Sequence, residues 1–244
     1  MCRLVPFKLL GIPVTIRPSF LLIALLLGWT SGFGSAGAVA VWVLVVFVSI
    51  VIHELGHALV ARGFGAGVEI ELNGFGGLTR WAVDHGELAP GRRATVAAAG
   101  SAVGLFFGGL VWLMSATLGP FDGLWGLAVR LLVYVNVFWG LLNWVPIRPL
   151  DGGHLLTALL TKLVPDRASA VARVIFTITT AAALVVAVQY QLIFVAILSG
   201  WLLLGELGMG SSSQTAPTAL PELTYDDLAE HESESDAERG PEDR

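Results

Sequence analysis

The chain has 244 residues, 55% of them hydrophobic and 14% charged, with a mean hydropathy of +0.75. Soluble domains carry about 25% charged residues, so a single apolar core cannot absorb this excess, whereas a bilayer can. The formal net charge of −5 is segregated, with 10 acidic and 2 basic side chains from Ser211 onward and 9 acidic and 12 basic before it; with no basic stripe, nucleic-acid binding is excluded.

Residues 8–16 read as a short extended segment, because Pro13 bars a helix interior. From Pro18 to His53 there is no Asp, Glu, Lys or Arg. That run is too long for one span of about 20 residues. The Gly- and Ser-containing stretch 28–37 divides it into spans at about 17–30 and 38–61. No cleavage site for a signal peptide is evident after Leu27, so the first span is expected to be retained. Residues 68–73 alternate in polarity and predict a strand, and Gly74, Gly76 and Gly77 predict a hairpin or bulge after it. Residues 94–121 predict a third span and 124–144 a fourth, which ends before Pro146 and Pro149. The uncharged run 174–205 overshoots one span, and Gln189-Tyr190-Gln191 is its natural turn, giving spans five and six.

The fold expected is an all-α polytopic membrane protein with about six transmembrane helices and a small membrane-associated β-sheet on the cytoplasmic side. Residues 1–210 form the membrane domain, and 211–244 are an acidic cytoplasmic tail whose composition predicts disorder. With both termini cytoplasmic, Arg3, Lys8, Arg17, Arg62, Arg80, Arg92, Arg93, Arg148, Lys162, Arg167 and Arg173 all fall inside. The outer loops near 31–37, 118–123 and 189–191 have no Lys or Arg, which satisfies the positive-inside rule. Arg130, near the outer end of the fourth span, is the exception and is expected to snorkel.

The strongest chemical signal is His53-Glu54-Leu55-Gly56-His57, H-E-x-x-H in the second span. On a helix, residues four apart share a face. Two imidazoles there can bind one metal ion, with the Glu between them placed as general base toward an acidified water. Two ordinary helix histidines are the plainer reading, but ionisable groups inside a membrane are costly and usually functional. With Cys2 the sole cysteine, a thiolate cluster is excluded. Leu55 lies about 10 Å below the cytoplasmic end of the span marked by Arg62.

A catalytic zinc takes three protein ligands. Asp151 fits the third best: two prolines end the preceding helix, so its carboxylate is expected to leave a regular helical position, and Gly152 and Gly153 permit close backbone approach. A lone Asp-Gly-Gly is more often a surface turn. His85, His154 and Glu206 are weaker alternatives.

Together, H-E-L-G-H at 53–57 and N-x-x-P-x-x-P-L-D-G-G at 143–153 resemble the site-2 proteases, intramembrane zinc metalloproteases. Gly11-Ile12-Pro13-Val14 and Ala98-Ala99-Gly100 add to the likeness, which covers roughly residues 8–208. The resemblance implies that His53, His57 and Asp151 bind one Zn2+, that Glu54 is the base, and that Asn143 assists at the reacting carbonyl. Asn136 lies one heptad earlier on a similar face, as a packing residue. Ser101 stands where the family often has Pro, which puts a local kink in doubt and leaves the chemistry intact.

The implied activity is a zinc metalloendopeptidase hydrolysing peptide bonds within or near transmembrane segments of membrane proteins, as in regulated intramembrane proteolysis. Its partners would be single-pass transmembrane substrates and the lipid bilayer, its location the cell membrane, and its active site near the cytoplasmic side. Val68, Ile70 and Leu72 mark a strand expected to bind substrate by strand addition. A metal or ion transporter using the same His and Asp residues is one alternative, though no inverted repeat accompanies them. A non-catalytic relative that binds membrane partners is the other, and Glu54 argues against it.

Overall fold

A computed structural model describes residues 4–83, 87–119 and 121–208. The expectations for Cys2, His85 and the acidic tail lie outside these residues. The described residues form two compact units: one of residues 4–83, 87, 99–119 and 121–140, the other of residues 88–98 and 141–208.

In the first unit, β1 (Leu4–Leu9) and β2 (Ile12–Ile16) form a hairpin. Its turn places Leu10 and Gly11 at φ 54° and 78°, the left-handed pair that tight hairpins require. Pro18 then opens α1 (Pro18–Thr30), where its missing N–H costs nothing. Helix α2 (Ala36–Gly63) begins at Ser35, whose hydroxyl accepts the amide of Ala38, and has Arg62 in its last turn. Trp42 of α2 donates its indole N–H to the Ala24 carbonyl of α1 over 3.1 Å. Arg62 donates to the Leu10 carbonyl over 2.7 Å, tying the end of α2 to the first hairpin.

Strands β3 (Gly67–Asn73) and β4 (Gly76–Ala82) follow as the predicted hairpin, with Phe75 fully exposed at its tip. The sheet order is β1-β2-β3-β4, with β2 and β3 parallel because α1 and α2 make the crossover. This order corrects one expectation. Strand β3 pairs with β4 along its length and with β2 at Ile70, Glu71 and Leu72, and Val68, Ile70 and Leu72 are buried. It therefore cannot accept a further strand, and the sheet's edges are β1 and β4.

Helix α3 (Pro90–Leu118) contributes residues to both units. Helix α4 (Gly123–Leu142) contains a π-helical turn at Val135–Trp139. That turn holds the buried Asn136, whose amide donates to Ser49 of α2 over 2.8 Å and to the Leu132 carbonyl. Asn136 thus packs as expected, and the hydrogen bond satisfies a polar group inside a span.

The second unit contains a helix the sequence reading lacked. Helix α5 (Asp151–Leu163) begins at Asp151, which does not leave the helix but is its first residue. The prolines end one helix and, through the extended Leu150, set up the start of the next. Helices α6 (Ala168–Gln189) and α7 (Ile193–Glu206) pack together and turn at Tyr190–Leu192, as expected.

Four helical segments, Ala36–Gly63, Pro90–Leu118, Gly123–Leu142 and Pro165–Gln189, are long and apolar enough to cross a membrane; Pro18–Thr30 and Val195–Glu206 are shorter apolar helices. Leu22, Trp29, Phe106, Trp112, Trp125, Ile178 and Trp201 are exposed, an outer surface suited to lipid rather than water. The protein is a multi-pass membrane protein, mostly helical, with one small sheet.

Candidate active site

Helix α2 sets the first part of the site. Residues 53 and 57 are one turn apart, so their imidazoles stack up the same face. The two Nε2 atoms are 3.2 Å apart and the rings meet edge to face at 81°. Two nitrogens each about 2.0–2.1 Å from one tetrahedral zinc stand about 3.4 Å apart. The spacing of the imidazole pair therefore suits one zinc ion.

Helix α3 leaves room for these rings. A Cβ on Gly100 would overlap the His57 imidazole at Nε2, Cδ2 and Cε1. On the other side, a Cβ on Gly56 would lie 2.8 Å from the Ala99 carbonyl oxygen and 2.9 Å from the Gly100 Cα. The two glycines let the backbones of α2 and α3 touch. Ser101 follows in unbroken helix and is fully buried.

Glu54 turns to the sheet. It is buried, and Thr79 of β4 donates to its carboxylate Oε2 over 2.7 Å. The same hydroxyl is 3.1 Å from the Glu54 main-chain carbonyl. Two residues before Thr79, on the same face of β4, a Cβ on Gly77 would overlap the Glu54 carboxylate at Oε1. Gly77 and Thr79 were not singled out as site residues from sequence. Their two-residue spacing in a strand was visible, but only the folded sheet brings them to Glu54.

In the second unit, residues 143–153 form a tight turn. The Asn143 carbonyl accepts the Gly152 amide at 2.6 Å, and the Leu150 carbonyl accepts that of Gly153 at 2.9 Å. A Cβ on Gly152 would overlap the Trp144 and Val145 carbonyls, and one on Gly153 would lie 2.8 Å from that of Ile147. The expected close backbone approach is present, and it presents Asp151, half-buried, at the head of α5. The turn is braced from below. Thr179 donates to the Pro146 carbonyl over 2.6 Å. The Arg148 Nε is 3.3 Å from the Glu206 carboxylate, and the guanidinium lies 4.9 Å over the Phe176 ring. Glu206, a weaker ligand alternative, is thus engaged by Arg148. Asn143 contributes its main-chain carbonyl to the turn, and its side chain is half-buried.

The sheet carries its own charge network. Arg17 clasps Glu71 through two contacts of 2.7 and 2.8 Å, and Arg80 reaches both Glu69, at 3.0 Å, and Glu71, at 3.5 Å. Burial pushes the Glu71 carboxyl up, but the Arg17 hydrogen bond and the charges of Arg80 and Arg17 outweigh it and leave it below its ordinary value.

The chain is similar to known zinc metalloproteases. The sequence pattern of Peptidase family M50 matches residues 121–187. The chain is 31% identical over 163 residues to the zinc metalloprotease MJ0392 of Methanocaldococcus jannaschii, covering 64% of this chain and 45% of that one. It is 33% identical over 173 residues to Rip3 of Mycobacterium tuberculosis, covering 63% and 42%. The chain thus spans less than half the length of these relatives. Its fold is similar to that of the site-2 protease from M. jannaschii, with a TM-score of 0.61 at 24% identity over 91% of this chain and 97% of that one.

Proposed function

We propose that this chain is a member of the site-2 protease family of zinc metalloproteases, a reading supported by the match to peptidase family M50 and the likeness to zinc metalloproteases, and that it is an endopeptidase hydrolysing peptide bonds within or near transmembrane segments of other membrane proteins. The observation that carries the reading is the juxtaposition on α2 and β4. Two imidazole nitrogens stand at zinc-ligand spacing, and the carboxylate between them is buried and held by a hydroxyl. From the resemblance carried by residues 143–153 we assign Asp151 as the third ligand, which gives the two-imidazole, one-carboxylate donor set that suits a catalytic zinc.

Zinc, when bound, supplies Lewis-acid polarisation of a carbonyl and an acidified water. The chain's own residues do the rest. Glu54 takes a proton from the attacking water and passes it to the departing amine. The Asn143 side-chain amide is assigned as a donor to the developing oxyanion. A membrane helix hides its carbonyls in hydrogen bonds, so the substrate must unwind locally before cleavage. With β3 paired on both sides, strand addition falls to a sheet edge, and β4, whose residues face Glu54, is the one beside the chemistry.

We further propose six spans with both termini cytoplasmic and the sheet and active site toward that side, a reading supported by the four long and two short apolar helices and by the distribution of Arg and Lys. Single-pass transmembrane proteins are the substrates this reading assigns.

The test pairs zinc stoichiometry with cleavage of a single-pass substrate in liposomes. Glu54→Gln keeps shape and removes the base. It should keep its zinc and lose about 10²- to 10⁴-fold in rate. Asp151→Ala should lose both zinc and cleavage. Metal flux without cleavage by the parent chain would instead identify a transporter. Full cleavage by Glu54→Gln would end the general-base assignment.

A further inference from the structure

Thr79 poses a question that packing does not answer. It is 1% exposed, in a strand where a β-branched side chain is favoured. Valine would fill the same volume without burying a hydroxyl, and a buried hydroxyl is tolerated only with a partner. Its partner here is Glu54, through both the carboxylate Oε2 at 2.7 Å and the main-chain carbonyl at 3.1 Å. A hydroxyl has one proton, and the shorter contact, to the carboxylate oxygen, takes it.

The two carboxylate oxygens of Glu54 therefore differ. Thr79 engages Oε2. Oε1 is the oxygen turned toward Gly77, the position where β4 has no side chain. A glutamate has three rotatable side-chain bonds, and an unrestrained carboxylate would sample several orientations. The strand removes that freedom with a donor at one position and a gap two residues earlier.

We propose that Thr79 is a positioning residue for the general base: by tying down Oε2 from β4, it leaves Oε1 as the oxygen that exchanges the proton. The proposal rests on the protease reading above. In it, Oε1 accepts one proton from water as the water oxygen bonds to the carbonyl carbon. The proton then goes to the amine nitrogen as the C–N bond breaks, so one water is consumed and Glu54 is regenerated. Thr79 touches no reacting atom, so its contribution falls on kcat rather than on substrate affinity or metal content.

The experiment uses the full chain, zinc-loaded, in liposomes with a single-pass substrate. Thr79→Val should bind zinc like the parent, keep KM, and lose kcat by about tenfold or more, since a hydrogen bond to a charged group contributes at least that factor. Thr79→Ser should restore most of kcat. Should Thr79→Val fail to fold or to hold zinc, Thr79→Ala, which removes the hydroxyl without adding bulk, is judged by the same criteria. Parent-level kcat in the hydroxyl-less variant, or Thr79→Ser no better than it, would overturn the proposal. A parent chain that holds zinc and cleaves nothing would overturn the protease reading itself.

Discussion

Replacing Gly100 by alanine tests the metal site at a residue that is neither ligand nor base. The added Cβ would overlap three atoms of the His57 ring, including the Nε2 assigned to zinc. The neighbouring backbone cannot retreat easily, because at Gly56 the main chains of α2 and α3 are already in contact, a Cβ there falling 2.8 Å from the Ala99 oxygen. One of two things must give. Either the imidazole swings away and zinc loses a ligand, or the helices separate at an overpacking cost of about 1–3 kcal/mol. Disturbing only the partners of a metal ligand lowers affinity about 10- to 100-fold, and displacing the ligand itself should exceed that. We expect Gly100→Ala to bind zinc at least about 100-fold more weakly than the parent, measured by competition with a chromophoric chelator in detergent. Gly104→Ala, one turn along α3, is the control, because its Cβ would meet nothing closer than 3.8 Å. Zinc affinity in Gly100→Ala within threefold of the parent would refute the argument that this glycine makes room for His57.

Asn136→Ala should destabilise the helical domain by about 0.6–1.7 kcal/mol through loss of the Ser49 hydrogen bond, and a double-mutant cycle with Ser49→Ala should recover that coupling in unfolding experiments. The lowered carboxyl of Glu71 means its ion pairs contribute stability above the ordinary carboxylate range of about pH 4. That contribution is lost as pH falls through the lowered value. Thermal unfolding in detergent should therefore show a parent more stable than Glu71→Gln at neutral pH, with the two converging in acid; a gap independent of pH would refute it.

Much of this molecule was legible without coordinates because its determinants are local. A bilayer imposes long uncharged runs, and these locate the helices on either side of Gly28–Gly37 and Gln189–Gln191. H-E-x-x-H needs only helical periodicity to place His53 and His57 on one face, and the alternation at 68–73 needs only a strand. The helix beginning at Asp151 was missed for an equally local reason. Pro149 and Gly152-Gly153 look like a turn, yet an acidic residue in the first turn, Asp151, favours a helix start, and the glycines serve the close approach to the carbonyls of Trp144 and Ile147.

What sequence could not decide is pairing between segments far apart in the chain. Alternation marks 68–73 as a strand but cannot say how many neighbours it has. The crossover through α1 and α2 gives it two, which removes it as a docking edge and leaves that role to β1 and β4. The same holds at the site. Chain order gives no reason to associate Thr79 with Glu54, 25 residues away, or Gly100 with His57. Hydrogen bonds and van der Waals exclusion act over a few ångströms, so these roles exist only once α3 and β4 have packed on α2. The residues of the chemistry are written in the sequence, whereas the space and the donors around them are set by tertiary structure.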